Sequence, residues 1–197
     1  MKTTILKSVM MVLVALFSLN TNAYDAYIDG IYYNLIEKTK QAEVTNGDNK
    51  YKDHVVIPKE IQYNGNTYSV TSIGPMAFGY CRSLVSITIP NSITSIGTSA
   101  FYECSSLTSV NVPTSVTSIE SETFSGCSRL ISITIPNSIT SIGDYAFRGC
   151  KGLASITIPN GVTAIGMYAF WFCEGLKSVE ISNSVTSIGM NAFEGCI

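Results

Sequence analysis

The stretch SITIPNSITSIGDYAFRGC, residues 132–150, decides the fold, because it recurs along most of the chain at a fixed step. Phe147 belongs to a column Phe78, Phe101, Phe124, Phe147, Phe170 and Phe193, each 23 residues from the next. Cys150 belongs to a second column with the same step, Cys81, Cys104, Cys127, Cys150, Cys173 and Cys196. Leu84, Leu107, Leu130, Leu153 and Leu176 keep the period, as do Pro90, Pro113, Pro136 and Pro159, and the phase does not slip after Val70. A fixed period of this length marks a solenoid, in which each repeat is one supersecondary unit stacked on the next.

Within one unit the residues assign the local structure. Ile87 and Ile89 flank polar Thr88, the period-two pattern of a strand with one buried face. Pro90 ends that strand because it has no N–H for a ladder, and Asn91-Ser92 supply turn chemistry. Ile93 and Ile96 turn inward again. Gly97, with Gly74, Gly143, Gly166 and Gly189, permits a sharp or left-handed corner, although Glu120 at the same position means that positive φ is not obligatory. Ala100-Phe101, followed three residues later by Cys104, predicts a single helical turn whose i and i+3 side chains share a face. Stacked coils pair strand on strand about 4.8 Å apart and align their Leu, Ile, Phe and Cys columns inside. Each buried Ile or Phe then contributes about 1.5–3 kcal/mol, which offsets the entropy of ordering the backbone.

Segments such as SITIPNSITSIGDYAFRGC resemble the BspA-like leucine-rich repeat family of surface proteins, with I-P, S-I-G, A-F and C all at the family's spacing. The resemblance covers Val55 to the C-terminus. It implies a repeat solenoid of leucine-rich-repeat type with 23-residue coils, about six over residues 55–197, the last incomplete. It further implies adhesion to host or bacterial surfaces, with no cofactor and no catalytic residues.

The two ends carry different signals. Lys2 and Lys7, the apolar run Val9 to Leu19 and Thr21-Asn22-Ala23 have the layout of a secretory signal peptide over residues 1–23, with cleavage after Ala23. That run is short for a membrane span, and no second one follows, so no integral membrane segment is expected after cleavage. Residues 24–54 read as a β-rich cap, in which Ile31–Ile36 and Gln41–Val44 form a hairpin whose charges discourage edge pairing. Asn64-Gly65, between Ile61–Tyr63 and Thr67–Val70, is a second hairpin turn. Cys196-Ile197 stops two residues short of the next Leu without a polar cap, which predicts a fragment of a longer protein.

Composition narrows the function. The formal charge of -2 becomes about -4 once Lys2 and Lys7 are removed, and no basic face points to nucleic acid. Twelve of the charged residues fall between Asp25 and Glu60, so the array that follows is a Ser/Thr/Ile-rich, weakly charged surface. Six cysteines in an exported chain ordinarily suggest disulfides. Here adjacent rungs bring Cα atoms to about 5 Å, but stacked side chains point the same way, whereas a disulfide wants a dihedral near ±90°. The cysteines therefore read as buried thiols, and no C-x-x-C or Cys/His cluster suggests zinc. His54 is the only histidine, and no nucleophile–base motif can be named. The column Thr94, Thr117, Thr140, Thr163 and Thr186 is unbroken, but the Thr88 column is interrupted by Asn111 and Glu180, so no paired threonine face exists.

The positions that vary between repeats hold the remaining signal. Tyr145, Tyr168, Trp171 and Phe172 gather around one pair of turns, with Arg148 beside them. One reading is that the rings cover their neighbours, Arg148 stacking on Trp171 as a cation–π pair. The other is an exposed aromatic patch for a protein or glycan partner, since Tyr, Trp and Arg are enriched at contact hot spots. The sequence thus leaves two functional classes: a secreted or cell-surface adhesin, or a structural spacer that displays a further C-terminal domain.

Overall fold

The computed structural model describes residues 24–196, so the expected signal peptide lies outside the described residues. The chain opens with an antiparallel meander of β1 (Ala26–Ile28), β2 (Ile31–Ile36) and β3 (Gln41–Thr45). β4 (Lys52–Val56) and the hairpin β5 (Glu60–Tyr63) and β6 (Asn66–Ile73) follow, the hairpin turning at Asn64-Gly65 where both φ angles are positive. The cap is not a separate body: β3 pairs parallel with β6, so the meander continues directly into the ladder of the solenoid. Aromatic rings seal this end. Tyr51 lies 4.6 Å from Phe78, and Tyr32 is 5.9 Å from Tyr51, while Tyr24 and Tyr27 both pack at 4.5 Å on Tyr32.

Each coil then contributes two short parallel strands. One column begins at β4 and runs through β7 (Ser83–Thr88), β9 (Ser109–Asn111) and β11 (Ser132–Thr134); β13 (Ser155–Ile158) and β15 (Ser178–Ile181) pair separately beyond it. The other begins at β6 with β8 (Ser95–Ile96), then resumes in β10 (Ser118–Ile119), β12 (Ser141–Ile142), β14 (Ala164–Ile165) and β16 (Ser187–Ile188). Between the columns the core is a set of vertical stacks. The rings of Phe78 through Phe193 lie 5.1–5.4 Å apart and within 15° of parallel. This is the offset geometry that aromatic quadrupoles prefer.

The cysteine column is explained by its bonds. Cys104 Sγ donates to the Phe78 carbonyl of the preceding coil at 3.0 Å, and Cys127, Cys150, Cys173 and Cys196 repeat the contact at 3.0–3.3 Å. The same phenylalanine carbonyl also accepts the amide of its own coil's cysteine, as Phe78 does from Cys81 at 3.0 Å. A small apolar residue with a weak donor fits this buried carbonyl better than Ala, which would leave one lone pair empty, or Ser, whose shorter reach and stronger polarity suit the site less.

The expected helical turn takes another form. Over Gly97–Cys104 alternate amides bond within the coil and across to the next one. Ala100, Tyr102 and Cys104 donate to carbonyls three residues back; Ser99, Phe101 and Glu103 donate to Ser121, Thr123 and Ser125. A helix would turn every amide along its own axis and leave neighbouring coils unbonded. Alternation requires left-handed residues, and two columns supply them in every coil. Met76, Ser99, Glu122, Tyr145, Tyr168 and Asn191 have φ between 54° and 57°; Tyr80, Glu103, Gly126, Gly149, Phe172 and Gly195 have φ between 54° and 77°.

The corner glycines serve close approach instead. A Cβ on Gly97, Gly143 or Gly189 would sit 2.7, 2.6 or 2.4 Å from a backbone nitrogen of the preceding coil. Glu120 places a Cβ at this corner, and there the ladder opens. Gly97, Gly143, Gly166 and Gly189 each donate to the preceding coil's Ile carbonyl, and Thr94, Thr140, Thr163 and Thr186 bond to the preceding threonine carbonyl through both amide and hydroxyl. Among the described residues no equivalent bond joins Glu120 to Ile96 or Thr117 to Thr94, and β8 does not pair with β10.

Candidate functional site

The aromatic cluster is assembled by the turn columns. Tyr145 and Tyr168 occupy one left-handed position in consecutive coils, and their rings stack at 5.0 Å and 9°. Trp171 meets both edge-on, at 5.3 Å from Tyr168 and 6.5 Å from Tyr145. The Arg148 guanidinium lies 5.2 Å from the Trp171 ring centroid, the expected cation–π pair. Phe172 lies 4.8 Å from Trp171. All five sequence-selected residues are therefore in one contiguous group, but they are not equivalent. Tyr145, Arg148, Tyr168 and Trp171 are half-buried against one another, and Trp171 Nε1 is buried with no hydrogen-bond partner. Phe172 is the ring that faces outward, at 45% exposure.

Positive φ costs an L-residue roughly 1–2 kcal/mol, and Gly or Asn is the low-cost choice. The Phe172 column holds Gly126, Gly149 and Gly195, and the Tyr168 column ends in Asn191. The recurring glycines were the available signal for such positions. At Tyr145, Tyr168 and Phe172 the chain instead carries three rings on left-handed backbone, in adjacent coils.

The sheet face offers a second surface. A concave groove of about 650 Å³ is lined by Ile131, Thr134, Ser155, Thr157 and Glu180, among others, and lies where β11 and β13 do not pair. Ile131 is 63% exposed there, and the Thr157 hydroxyl donates to Glu180 at 3.1 Å.

His54 is on the same sheet nearer the cap, with Nδ1 2.7 Å from Ser86 Oγ. Ser86 belongs to the repeat column Ser109, Ser132, Ser155 and Ser178, so the contact reflects register. Among the described residues no carboxylate bonds the other ring nitrogen, which a nucleophile–base pair would need for orientation. No group of three or more His, Cys, Asp or Glu side chains among the described residues is placed to hold a metal ion. No helix among them is long and apolar enough to cross a membrane.

The geometry agrees with what the chain is similar to. A family model described as the BspA type leucine-rich repeat region matches residues 67–197 in six copies. A solved leucine-rich repeat protein from Bacteroides ovatus superposes with a TM-score of 0.83 at 42% identity, over 88% of this chain and 45% of that one. A leucine-rich cell surface protein from Faecalibacterium prausnitzii gives 0.77 at 34% identity, over 88% and 47%. A leucine-rich repeat protein from T. pallidum gives 0.73 at 28%, over 87% and 89%. The chain thus spans about half the length of the first two. No match is found among curated proteins.

Proposed function

From the membership of this chain in the BspA-type leucine-rich repeat family, we propose that it is an exported, non-catalytic binding protein that attaches to macromolecules on host or bacterial surfaces. The observation that carries this reading is the aromatic cluster at Tyr145, Tyr168, Trp171 and Phe172, in which Tyr145, Tyr168 and Phe172 stand on left-handed backbone that glycine would occupy at lower cost. Large rigid rings with an Arg beside them are what contact hot spots are made of. The cell-surface description of the F. prausnitzii relative supports the location. Export itself is checked by N-terminal sequencing of the secreted protein, which should begin at Tyr24.

Binding is tested by passing the chain over immobilised mucin, extracellular-matrix proteins and bacterial surface polysaccharide. Trp171→Ala or Tyr168→Ala should weaken the retained interaction by 2 kcal/mol or more, the threshold of a hot spot. The coil should stay folded, because Trp171 is matched by Gly79, Tyr102, Ser125 and Arg148 in the other repeats. Thr134→Ala, in the sheet groove, is the control. Loss at Thr134 with no change at Trp171 and Tyr168 would move the site to the sheet. Retention on none of the surfaces would favour a spacer instead.

A further inference from the structure

Beside the aromatic cluster lies a notch that the repeat itself creates. In the column Glu103, Gly126, Gly149, Phe172, two consecutive glycines open a gap of about 450 Å³ between a carboxylate and an aromatic ring. The walls are held apart. Glu103 covers Gly126, whose Cβ would meet the carboxylate oxygen at 2.6 Å, while Phe172 lies over Gly195, whose Cβ would meet its ring at 2.8 Å. Gly149 is left facing open space, with only the Gly126 Cα at 4.0 Å from where its Cβ would stand. Arg148, Lys151 and Glu174 complete the rim.

The chemistry of these groups selects a ligand class. The floor has no amide to offer, since Gly126 and Gly149 donate to the Arg148 and Trp171 carbonyls at 2.7 Å. An extended peptide needs such backbone partners and would find none free. Lys151 is bonded to Glu174 at 2.7 Å, Glu103 pairs with Arg82 at 3.6 Å and Arg148 lies over the Trp171 ring, so each charge on the rim already has a partner and a lone ion finds no unpaired one. A ring bearing several hydroxyls can donate to Glu103 and Glu174 and accept from Arg148 and Lys151 at once. Phe172 has no polar tip and packs against Trp171 at 4.8 Å, so it offers an apolar surface to the C–H side of such a ring. We infer that the notch between Glu103 and Phe172, floored by Gly149, binds a neutral pyranose unit of a surface glycan. The inference rests on reading the chain as a surface-binding protein and names the ligand class for one edge of that site.

Trp171 is the only tryptophan, so its emission reports on the adjoining ring. The full chain is titrated with neutral gluco-, galacto-, manno- and N-acetylglucosamine oligosaccharides, following Trp171 emission and heat of binding. At least one series should give a saturable response. Phe172→Gly, which installs the residue found at Gly126, Gly149 and Gly195, should lower that affinity at least tenfold. Gly149→Glu fills the notch at a left-handed position of the kind Glu103 occupies; it should abolish binding while the melt stays cooperative, at a somewhat lower temperature because Glu replaces Gly at positive φ. Unchanged saccharide affinity in both variants overturns the inference. So does the absence of any saccharide response while the chain is retained by an immobilised matrix protein, an outcome that leaves the surface-binding reading standing. Failure to bind either saccharide or surface macromolecule overturns both.

Discussion

Phe147→Ala should destabilise the chain by about 3–5 kcal/mol, the range for truncating a buried aromatic residue. Phe147 is fully buried and lies between two parallel rings, Phe124 at 5.4 Å and Phe170 at 5.1 Å. Its removal opens a void in the middle of the column that neighbouring coils cannot close without breaking their own ladders. Phe193→Ala should cost much less, because Phe193 is only partly buried and stacks on Phe170 alone. The contrast follows from nearest-neighbour coupling, in which each coil gains stability only from the coils it touches. Denaturant melts of the two variants measure it. Equal losses would show that the stack melts as one indivisible unit and would refute the nearest-neighbour account.

The parts of this architecture that the sequence discloses are those set by side-chain columns. Phe147, Cys150 and Leu153 recur at one step because each must meet its own kind above and below, so their burial is readable without coordinates. Asn64-Gly65 is equally legible, since Asn-Gly is the pair that a type I′ hairpin turn, with positive φ at both positions, favours. What escapes the sequence is where backbone amides point. Ala100, Phe101 and Cys104 have the spacing of a helical turn, and the inward face they share is real. The amides nevertheless alternate between their own coil and the next, because a solenoid must bond across its repeats. The left-handed columns follow from that alternation. Tyr145 and Phe172 look freely variable in sequence, but their backbone conformation is fixed in every coil. Glu120 is the converse case: a single departure from the glycine column is visible in sequence, yet its consequence, an unbonded joint against Ile96 and Thr94, depends on how closely the corner meets the coil before it. The aromatic group was legible because its members share repeat positions. The notch was not, since it arises because Glu103 leans over Gly126 and Phe172 over Gly195, which leaves Gly149 uncovered.

The cysteine column should make the protein steeply sensitive to alkali. Burial raises the thiols of Cys104, Cys127 and Cys150 well above their ordinary value of 9.0, and pushes Cys173 up to about 12. A thiol whose folded pKa is raised contributes stability that is complete below pH 9, where both states hold the proton. Above pH 9 the unfolded chain releases protons that the native state keeps, so stability falls with rising pH until the folded pKa is reached. Each such thiol steepens the fall by about 1.4 kcal/mol per pH unit, and four together bring it to on the order of 5 kcal/mol per unit. A domain of ordinary stability, about 5–15 kcal/mol, should therefore unfold within a few pH units above 9. Buried Tyr33 and Tyr51, whose phenols are also raised by burial, act with the same sign above pH 10. Cys150→Ala separates the contributions, because it should flatten the slope of stability against pH between 9 and 12 by about 1.4 kcal/mol per unit. The five buried thiols, Cys81, Cys104, Cys127, Cys150 and Cys173, should also resist labelling at neutral pH until denaturant is added, whereas half-buried Cys196 should label sooner. A stability that stays level from pH 9 to 12 would contradict the buried-thiol account. A native mass two hydrogens lighter per cysteine pair would replace it with disulfides, which have no proton to lose.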